Sequence, residues 1–206
     1  FVVLAVIALG LLLAGHLRAA LALSISGALV VALFGQGGAR DRLLLGLGLP
    51  YIFFTATALI WLSGDPRGGL SIIWLLVVVA MSDIGGYVAG KSIGGPRLAP
   101  RISPNKTWAG FVGGTALAAG AGAAFVFLEP GASVRHLGLT ALAISIAAQL
   151  GDLLESAIKR HFAVKDSGSI IPGHGGVFDR FDGLLVAAPV LAALAAANGD
   201  LGFLWR

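Results

Sequence analysis

The chain is a series of long apolar runs separated by short polar loops. Several of these runs approach the roughly 20 residues that a helix needs to cross a lipid bilayer. The pattern therefore predicts an all-α fold, a polytopic transmembrane helical bundle with about seven apolar helical segments. The predicted segments cover residues 1–14, 19–34, 43–62, 70–93, 107–128, 136–160 and 181–204.

We expect one continuous bundle whose two parts differ in content. Residues 1–69 supply N-terminal transmembrane helices, and residues 70–206 supply helices joined by two polar loops, at 94–106 and 159–180. The first apolar run is too short to span a bilayer, and the chain starts inside it without a Met. We therefore expect that N-terminal sequence has been trimmed.

The composition supports a membrane protein. Apolar residues make up 57% and charged residues 12% of the chain, and that charged share is about half the usual globular value. Because cysteine is absent, disulfides, thiolate metal sites and cysteine nucleophiles are excluded, and any metal must be bound by oxygen or imidazole. The net charge of +4 fits loop charge that sets membrane topology, so no nucleic-acid partner is expected.

The basic residues alternate between the two sides of the predicted bundle. The loops after the second, fourth and sixth segments carry ten of the fourteen lysines and arginines. The positive-inside rule places these loops in the cytoplasm. The polar loops 94–106 and 159–180 are therefore predicted to face the cytoplasm from a multi-pass protein of the inner membrane.

Two of the acidic residues inside the predicted helices lie at a similar depth. Asp83 and Asp152 precede the cytoplasmic ends of their segments by similar lengths of helix, about 12–15 Å. Ionised acids at that depth are costly and usually face a partner or a wet cavity. With no lysine expected at that depth, a bound cation or a proton is favoured as compensation. A structural ion pair between helices and the ion path of a transporter are the alternatives.

The polar stretch from Asp152 to Asp182 concentrates groups that handle metals and phosphates. It contains five of the ten acids, four basic residues and the Gly-rich run PGHGG. Carboxylates with hydroxyl groups and water suit Mg²⁺, which also binds substrate phosphates. Glycine NH groups can form an anion-binding concavity, and Lys and Arg can hold phosphate oxygens. The stretch predicts a metal-dependent, phosphate-handling site at the membrane surface.

Two other positions have more than one interpretation. His174 can act as a general acid or base, donate to a phosphate, or hydrogen-bond within the glycine loop. The run 103–107, with Ser103, Asn105, Lys106 and Thr107, can cap the fifth helix or bind a phosphate at that helix N-terminus. The two roles of this run are compatible.

Three stretches resemble the phosphatidate cytidylyltransferases, the CDP-diacylglycerol synthases. The run SAIKRHFAVKDSGSIIPGHGGVFDRFD (Ser156–Asp182) matches the long family signature. SDIGGYVAGKSIGG (Ser82–Gly95) is similar to the family's Asp-containing helix, and LAPRISPNKTWAGFVGG (Leu98–Gly114) to its cytoplasmic loop. The chain departs from the family at Ala109, where members commonly carry Glu, and family members are usually longer at the N-terminus.

The resemblance implies a nucleotidyltransferase that makes CDP-diacylglycerol and pyrophosphate from CTP and phosphatidic acid. It implies dependence on Mg²⁺, with a monovalent cation such as K⁺ as a further cofactor candidate. The protein is also expected to contact membrane lipids other than its substrate. The sequence leaves the oligomeric state open, with a homodimer as one candidate. The metal-ligand candidates are Asp152 and Asp179, followed by Asp182 and Asp83. The catalytic candidates are Asp152, Asp179, Lys159, Lys165, His174 and Arg180. The substrate-binding candidates are Ser103, Asn105, Lys106, Thr107, Ser156, Arg160, Asp166, Gly173, Gly175 and Gly176.

Three rival functions fit the sequence less well. An ion- or proton-coupled transporter would use Asp83 and Asp152, but the polar residues gather on one side and no internal repeat is visible. A CDP-alcohol phosphotransferase would carry a DG-x-x-A-R run, which is absent. A non-catalytic scaffold would leave the density of phosphate-type groups unexplained.

Overall fold

The computed structural model describes residues 2–165, 167 and 178–206, and for residues 2, 178–180 and 201 it describes the backbone alone. The described residues are almost entirely helical. The α-helices are α1 (Val2–Leu13), α2 (Leu17–Phe34), α3 (Ala39–Ser63), α4 (Gly68–Ser92), α5 (Trp108–Ala123), α6 (Val134–His161) and α7 (Phe178–Ala197). Short 3₁₀ helices follow α5 and α7, at Ala124–Phe127 and Leu201–Trp205.

Within the described ranges, five helices are long and apolar enough to cross a membrane. They are α2, α3, α4, α6 and the run Trp108–Phe127, which joins α5 to its 3₁₀ extension. The all-α prediction is confirmed, and the chain is a multi-pass membrane protein. The seventh segment differs from its predicted bounds, since α7 ends at Ala197. Gly199 follows with a φ of 66°, which breaks the helix and starts a separate 3₁₀ turn.

The chain divides into two compact units, Phe1–Ile60 and Trp61–Arg206. The first unit contains α1, α2 and most of α3, around a small core of Leu12, Ala20 and Phe53. The second unit contains the remaining helices and all the acidic residues discussed below.

Helices α4 and α5 approach each other closely through glycines. A Cβ atom on Gly114 would lie 2.5 Å from the Ser82 carbonyl oxygen, and one on Gly110 would lie 2.7 Å from the Gly86 carbonyl oxygen. Neither distance is possible for a real Cβ atom, so the contact requires glycine at both positions. Small residues let helix backbones approach in lipid, where packing drives association. The contact sets the position of α4, which carries Asp83.

Buried and half-buried polar side chains join α4, α5 and α6. The hydroxyl groups of Ser82 and Ser145 are 2.7 Å apart. Gln149 Nε2 donates to Ser145 Oγ at 3.2 Å and to Thr115 Oγ1 at 3.0 Å. Polar groups inside a membrane protein are satisfied by each other rather than by lipid. This network fixes the register of the three helices next to Asp152, which lies one turn beyond Gln149.

A β-hairpin takes the place of the loop predicted at 94–106. Strand β1 (Arg97–Ala99) pairs antiparallel with β2 (Ser103–Thr107). The Thr107 hydroxyl accepts from Gly110 N at 3.0 Å and caps α5, as one of the two interpretations of this run predicted. Arg160 Nε on α6 donates to the Ile102 carbonyl at 3.3 Å. The hairpin is therefore fastened to two helices of the second unit.

The C-terminal 3₁₀ turn packs against α4. Trp205 Nε1 donates to Ser71 Oγ at 2.9 Å, and Asp200 Oδ1 accepts from Gly202 N at 2.9 Å. That backbone hydrogen bond, together with the Arg206 side chain that also bonds Asp200, lowers the pKa of Asp200. The turn closes the end of the second unit that lies away from the hairpin.

Replacing Gly114 by Ala is expected to destabilise the protein by about 1–3 kcal/mol, because the new methyl group must push α4 and α5 apart. Gly120→Ala on the same helix is the matched control, since nothing lies within 4 Å of its Cβ position. Thermal unfolding in detergent measures both variants. Equal transition temperatures for the two would show that the glycine contact does not hold the helices together.

Candidate active site

Three carboxylates meet where α6 and α7 pack together. Asp152 and Glu155 lie one turn apart on α6, and Asp182 lies in the second turn of α7. One oxygen atom from each of the three lies within 4.8 Å of the other two. Glu155 is buried, while Asp152 and Asp182 are half-buried. We call these three residues the acid cluster. Among the described side chains, this arrangement of hard oxygen donors is suited to a metal ion.

Lysines contact two members of the acid cluster. Lys106 Nζ forms an ion pair with Asp152 Oδ2, and Lys159 Nζ lies 2.8 Å from Glu155 Oε2. Ser156 Oγ donates to the other Asp152 oxygen at 3.4 Å. The acid cluster and its two lysines together carry one formal negative charge, so the group retains attraction for a further cation.

The ion pair of Lys106 corrects one sequence-based expectation. No lysine was expected at the depth of Asp152, because none occurs nearby on the predicted helices. The correction arises from the hairpin, which folds strand β2 over the end of the helices and directs Lys106 to Asp152. A flexible four-carbon stem gives lysine the reach for such a contact.

A cavity of about 290 Å³ borders the acid cluster. Its walls come from α4, the hairpin, α5 and α6, and its polar lining includes Asp83, Asn105, Lys106 and Asp152. Asp83 and Asp152 thus face one space, in agreement with the equal depth predicted for them. Asp152 belongs to both the cavity and the acid cluster, which makes it the link between the two.

Other predicted site residues lie around this centre. Thr107 lines the cavity, but its hydroxyl caps α5. Ser103 lies on β2 outside the cavity lining. Arg160 donates to the backbone carbonyl of Ile102, which fastens the hairpin, and to that of Val164, just beyond α6. Lys165 is exposed just beyond α6.

Part of the predicted site lies outside the described residues. These positions are Asp166, Gly173, His174, Gly175 and Gly176. Asp179 and Arg180 lie in the first turn of α7, where the backbone is described and their side chains are not. The roles predicted for all seven stay predictions.

The structure adds Glu155 to the candidate ligands. This residue lies within the polar stretch from Asp152 to Asp182 but is not among the candidates that the sequence predicts individually. Its spacing of three from Asp152 was the available signal, since residues i and i+3 are neighbours on a helix surface. A buried carboxylate in a membrane helix is costly unless it faces a cation or another partner. Glu155 faces Lys159 and the two aspartates.

The fold and the site together define a multi-pass membrane protein with an acid cluster beside a polar cavity. Comparison with known proteins identifies the family within that class. The model of the cytidylyltransferase family matches residues 1–197. The chain belongs to the cytidylyltransferase family, which confirms the resemblance found in the sequence.

Individual relatives agree with the family match. The chain is 47% identical over 150 residues to the phosphatidate cytidylyltransferase of Brucella suis biovar 1 (strain 1330), covering 72% of this chain and 56% of that protein. It is 46% identical over 133 residues to the phosphatidate cytidylyltransferase of Bacillus subtilis (strain 168), covering 64% and 49%. The chain thus spans about half the length of these curated relatives. These similarities do not support the transporter alternative.

Proposed function

We propose that this protein transfers the cytidylyl group of CTP to phosphatidic acid, forming CDP-diacylglycerol and pyrophosphate. The observation that carries the proposal is the acid cluster, which borders a cavity lined by Lys106 and Asn105. A site for two anionic substrates needs cations to screen their repulsion, and this arrangement can supply both a metal and an ammonium group. The names of the relatives identify the same reaction.

The residues present fit a magnesium ion. Carboxylate oxygens are the ligands that Mg²⁺ prefers, and three converge here without competing sulfur or imidazole among the described side chains. Asp152, Glu155 and Asp182 would hold the ion, and Asp179 is proposed to join them. When bound, Mg²⁺ would neutralise negative charge on the phosphates and on the departing pyrophosphate. A K⁺ ion beside it is a further proposal, which rests on the family resemblance.

The reaction needs no activated side-chain nucleophile. An anionic oxygen of the lipid phosphate forms a bond to the α-phosphorus of CTP. The bond from that phosphorus to the oxygen bridging to the β-phosphate breaks, and its electron pair leaves with pyrophosphate. The protein's task is to position the two phosphates and to stabilise the charge that moves to the leaving group. Lys106, in the cavity wall, is placed to bind a phosphate oxygen.

The location of the site suits one lipid and one water-soluble substrate. The cavity is at the small end of the range of ligand pockets, so it fits phosphate groups better than whole substrate molecules. The acyl chains would stay in the bilayer while CTP arrives from the cytoplasm. We therefore place the hairpin side of the second unit at the cytoplasmic face of the inner membrane. A homodimer stays a prediction.

The direct test is an assay of purified protein in mixed micelles with labelled CTP, phosphatidic acid and Mg²⁺. We expect a labelled CDP-lipid whose formation stops when the lipid is omitted or when EDTA removes the metal. Adding Mg²⁺ back to the EDTA-treated sample, in excess over the chelator, should restore the rate of CDP-lipid formation. Persistent product in EDTA would contradict the metal role, and the absence of any CDP-lipid would contradict the reaction.

A further inference from the structure

We propose that Lys106 is a displaceable counterion of the acid cluster. Its ammonium group neutralises Asp152 before a divalent cation binds, and it moves to a nucleotide phosphate in the cavity once the cation is in place. The inference rests on the proposed function and adds an order of events to it. One lysine side chain would then couple metal binding to nucleotide binding.

The first support is the position of the ammonium group. Lys106 Nζ is buried, and its ion pair with Asp152 Oδ2 is the polar contact that the described residues give it. An ammonium group has three N–H donors, so one carboxylate oxygen leaves donor capacity unused. The Lys106 side chain also lines the cavity. A phosphate entering that cavity would meet a donor that is already close.

The second support is the double role of Asp152. This residue belongs to the acid cluster and to the cavity wall, and its Oδ1 atom accepts from Ser156. The Oδ2 atom contacts Lys106, so a metal bound to this carboxylate and the lysine would share one negatively charged group. Metal ligation and the ion pair with Lys106 would then compete for the same carboxylate.

The third support is the contrast with Lys159. That lysine contacts Glu155 from one turn along α6 and does not belong to the cavity lining. Lys106 comes instead from the hairpin and reaches both the acid cluster and the cavity. Of these two lysines, Lys106 is the one placed to exchange a carboxylate for a phosphate.

The net charge of the acid cluster and its two lysines explains why metal binding would displace Lys106. Three carboxylates and two ammonium groups carry one net negative charge, and a divalent cation would reverse the sign. Two cations at one carboxylate repel each other at short range. The flexible lysine stem allows its ammonium group to withdraw. A polyphosphate in the adjoining cavity would then replace Asp152 as the anionic partner of the ammonium group.

The exchange can be followed in the wild-type protein by lysine acylation and mass spectrometry. We expect Mg²⁺ to raise the modification of Lys106 about fivefold over the EDTA sample, because its buried nitrogen is released. Addition of CTP to the Mg²⁺-loaded protein should reverse that increase. Lys91 is the internal control: it is exposed on α4 and contacts Tyr87, so Mg²⁺ should leave its modification unchanged. A Lys106 signal that does not respond to Mg²⁺ would overturn the exchange.

A variant gives a second, independent measurement. Lys106→Met is expected to bind Mn²⁺ roughly tenfold more tightly than the wild type and, with metal present, CTP roughly tenfold more weakly. The dissociation constant of Mn²⁺ is measured by the loss of the free Mn²⁺ signal in electron paramagnetic resonance. The dissociation constant of CTP is measured by calorimetry. Lys91→Met removes the same charge away from the acid cluster and should leave the Mn²⁺ dissociation constant near wild type. Lys106→Arg keeps the charge and should bind Mn²⁺ like the wild type.

The outcomes separate this inference from the proposed function. If Lys106→Met binds Mn²⁺ as tightly as the wild type or more weakly, the exchange is overturned while the metal-dependent reaction stands. If the wild type binds no Mn²⁺, or binds it equally well after Asp152→Asn, the metal site fails and the exchange fails with it. Should Lys106→Met not fold, the acylation of wild-type protein decides the question.

Discussion

Asp152→Asn is expected to lower the rate of CDP-lipid formation about a thousandfold, the scale of losing a central electrostatic group at a reaction centre. Asp152 contributes to the acid cluster, lines the cavity and pairs with Lys106. The amide has nearly the same shape, so the helices should still pack. Initial rates at saturating CTP and Mg²⁺, with size-exclusion profiles as a check on folding, measure the effect.

The matched control is Glu129→Gln, which removes an acid at the other end of the second unit. Glu129 pairs with Arg67 at 3.0 Å and precedes α6, whereas Asp152 lies about 27 Å along that helix. Its activity should stay near the wild-type value. A near-normal rate for Asp152→Asn would show that its carboxylate does not belong to the site. An equal loss of activity in both variants would indicate a general effect of lost charge.

Glu155→Gln is expected to weaken metal binding roughly 10- to 100-fold and to lower activity accordingly at limiting Mg²⁺. The carboxylate is buried, and one of its oxygens lies within 4.8 Å of oxygens of Asp152 and Asp182. Excess Mg²⁺ should restore part of the rate, which a purely structural role would not allow. Titration of activity with Mg²⁺ and of binding with Mn²⁺ measures the two effects.

Glu155→Asp serves as the comparison for this prediction, because it keeps the charge and shortens the side chain by one methylene. It should retain more metal affinity than Glu155→Gln. If both variants bind Mn²⁺ like the wild type, Glu155 only neutralises Lys159. A lower unfolding temperature with unchanged metal affinity would lead to the same conclusion.

The helical architecture could be predicted because lipid leaves the backbone few alternatives. Backbone groups inside a bilayer must hydrogen-bond within their own segment, so apolar runs of sufficient length become helices. The fixed rise per residue also predicted that Asp83 and Asp152 lie at matching depths, and both line one cavity. These conclusions follow from the local sequence and the lipid environment alone.

The hairpin and its consequences could not be predicted in the same way. Strands of three and five residues carry a weak periodic signal, and their pairing depends on the helices that support them. The contact between Lys106 and Asp152 joins positions 46 residues apart, so no local pattern contains it. Glu155 is a different case, since its spacing of three from Asp152 places the two side chains together on one helix.

The fate of the two ends of the CTP triphosphate tests the central claim most directly. Parallel assays with α-labelled and γ-labelled CTP, phosphatidic acid and Mg²⁺ would compare wild-type protein with Asp152→Asn. Cytidylyl transfer predicts that the α-label enters the lipid and the γ-label appears in pyrophosphate, with both signals lost in the variant. Transfer of the γ-label to lipid, or a CDP-lipid yield that Asp152→Asn leaves intact, would contradict the assignment of this reaction to the acid cluster.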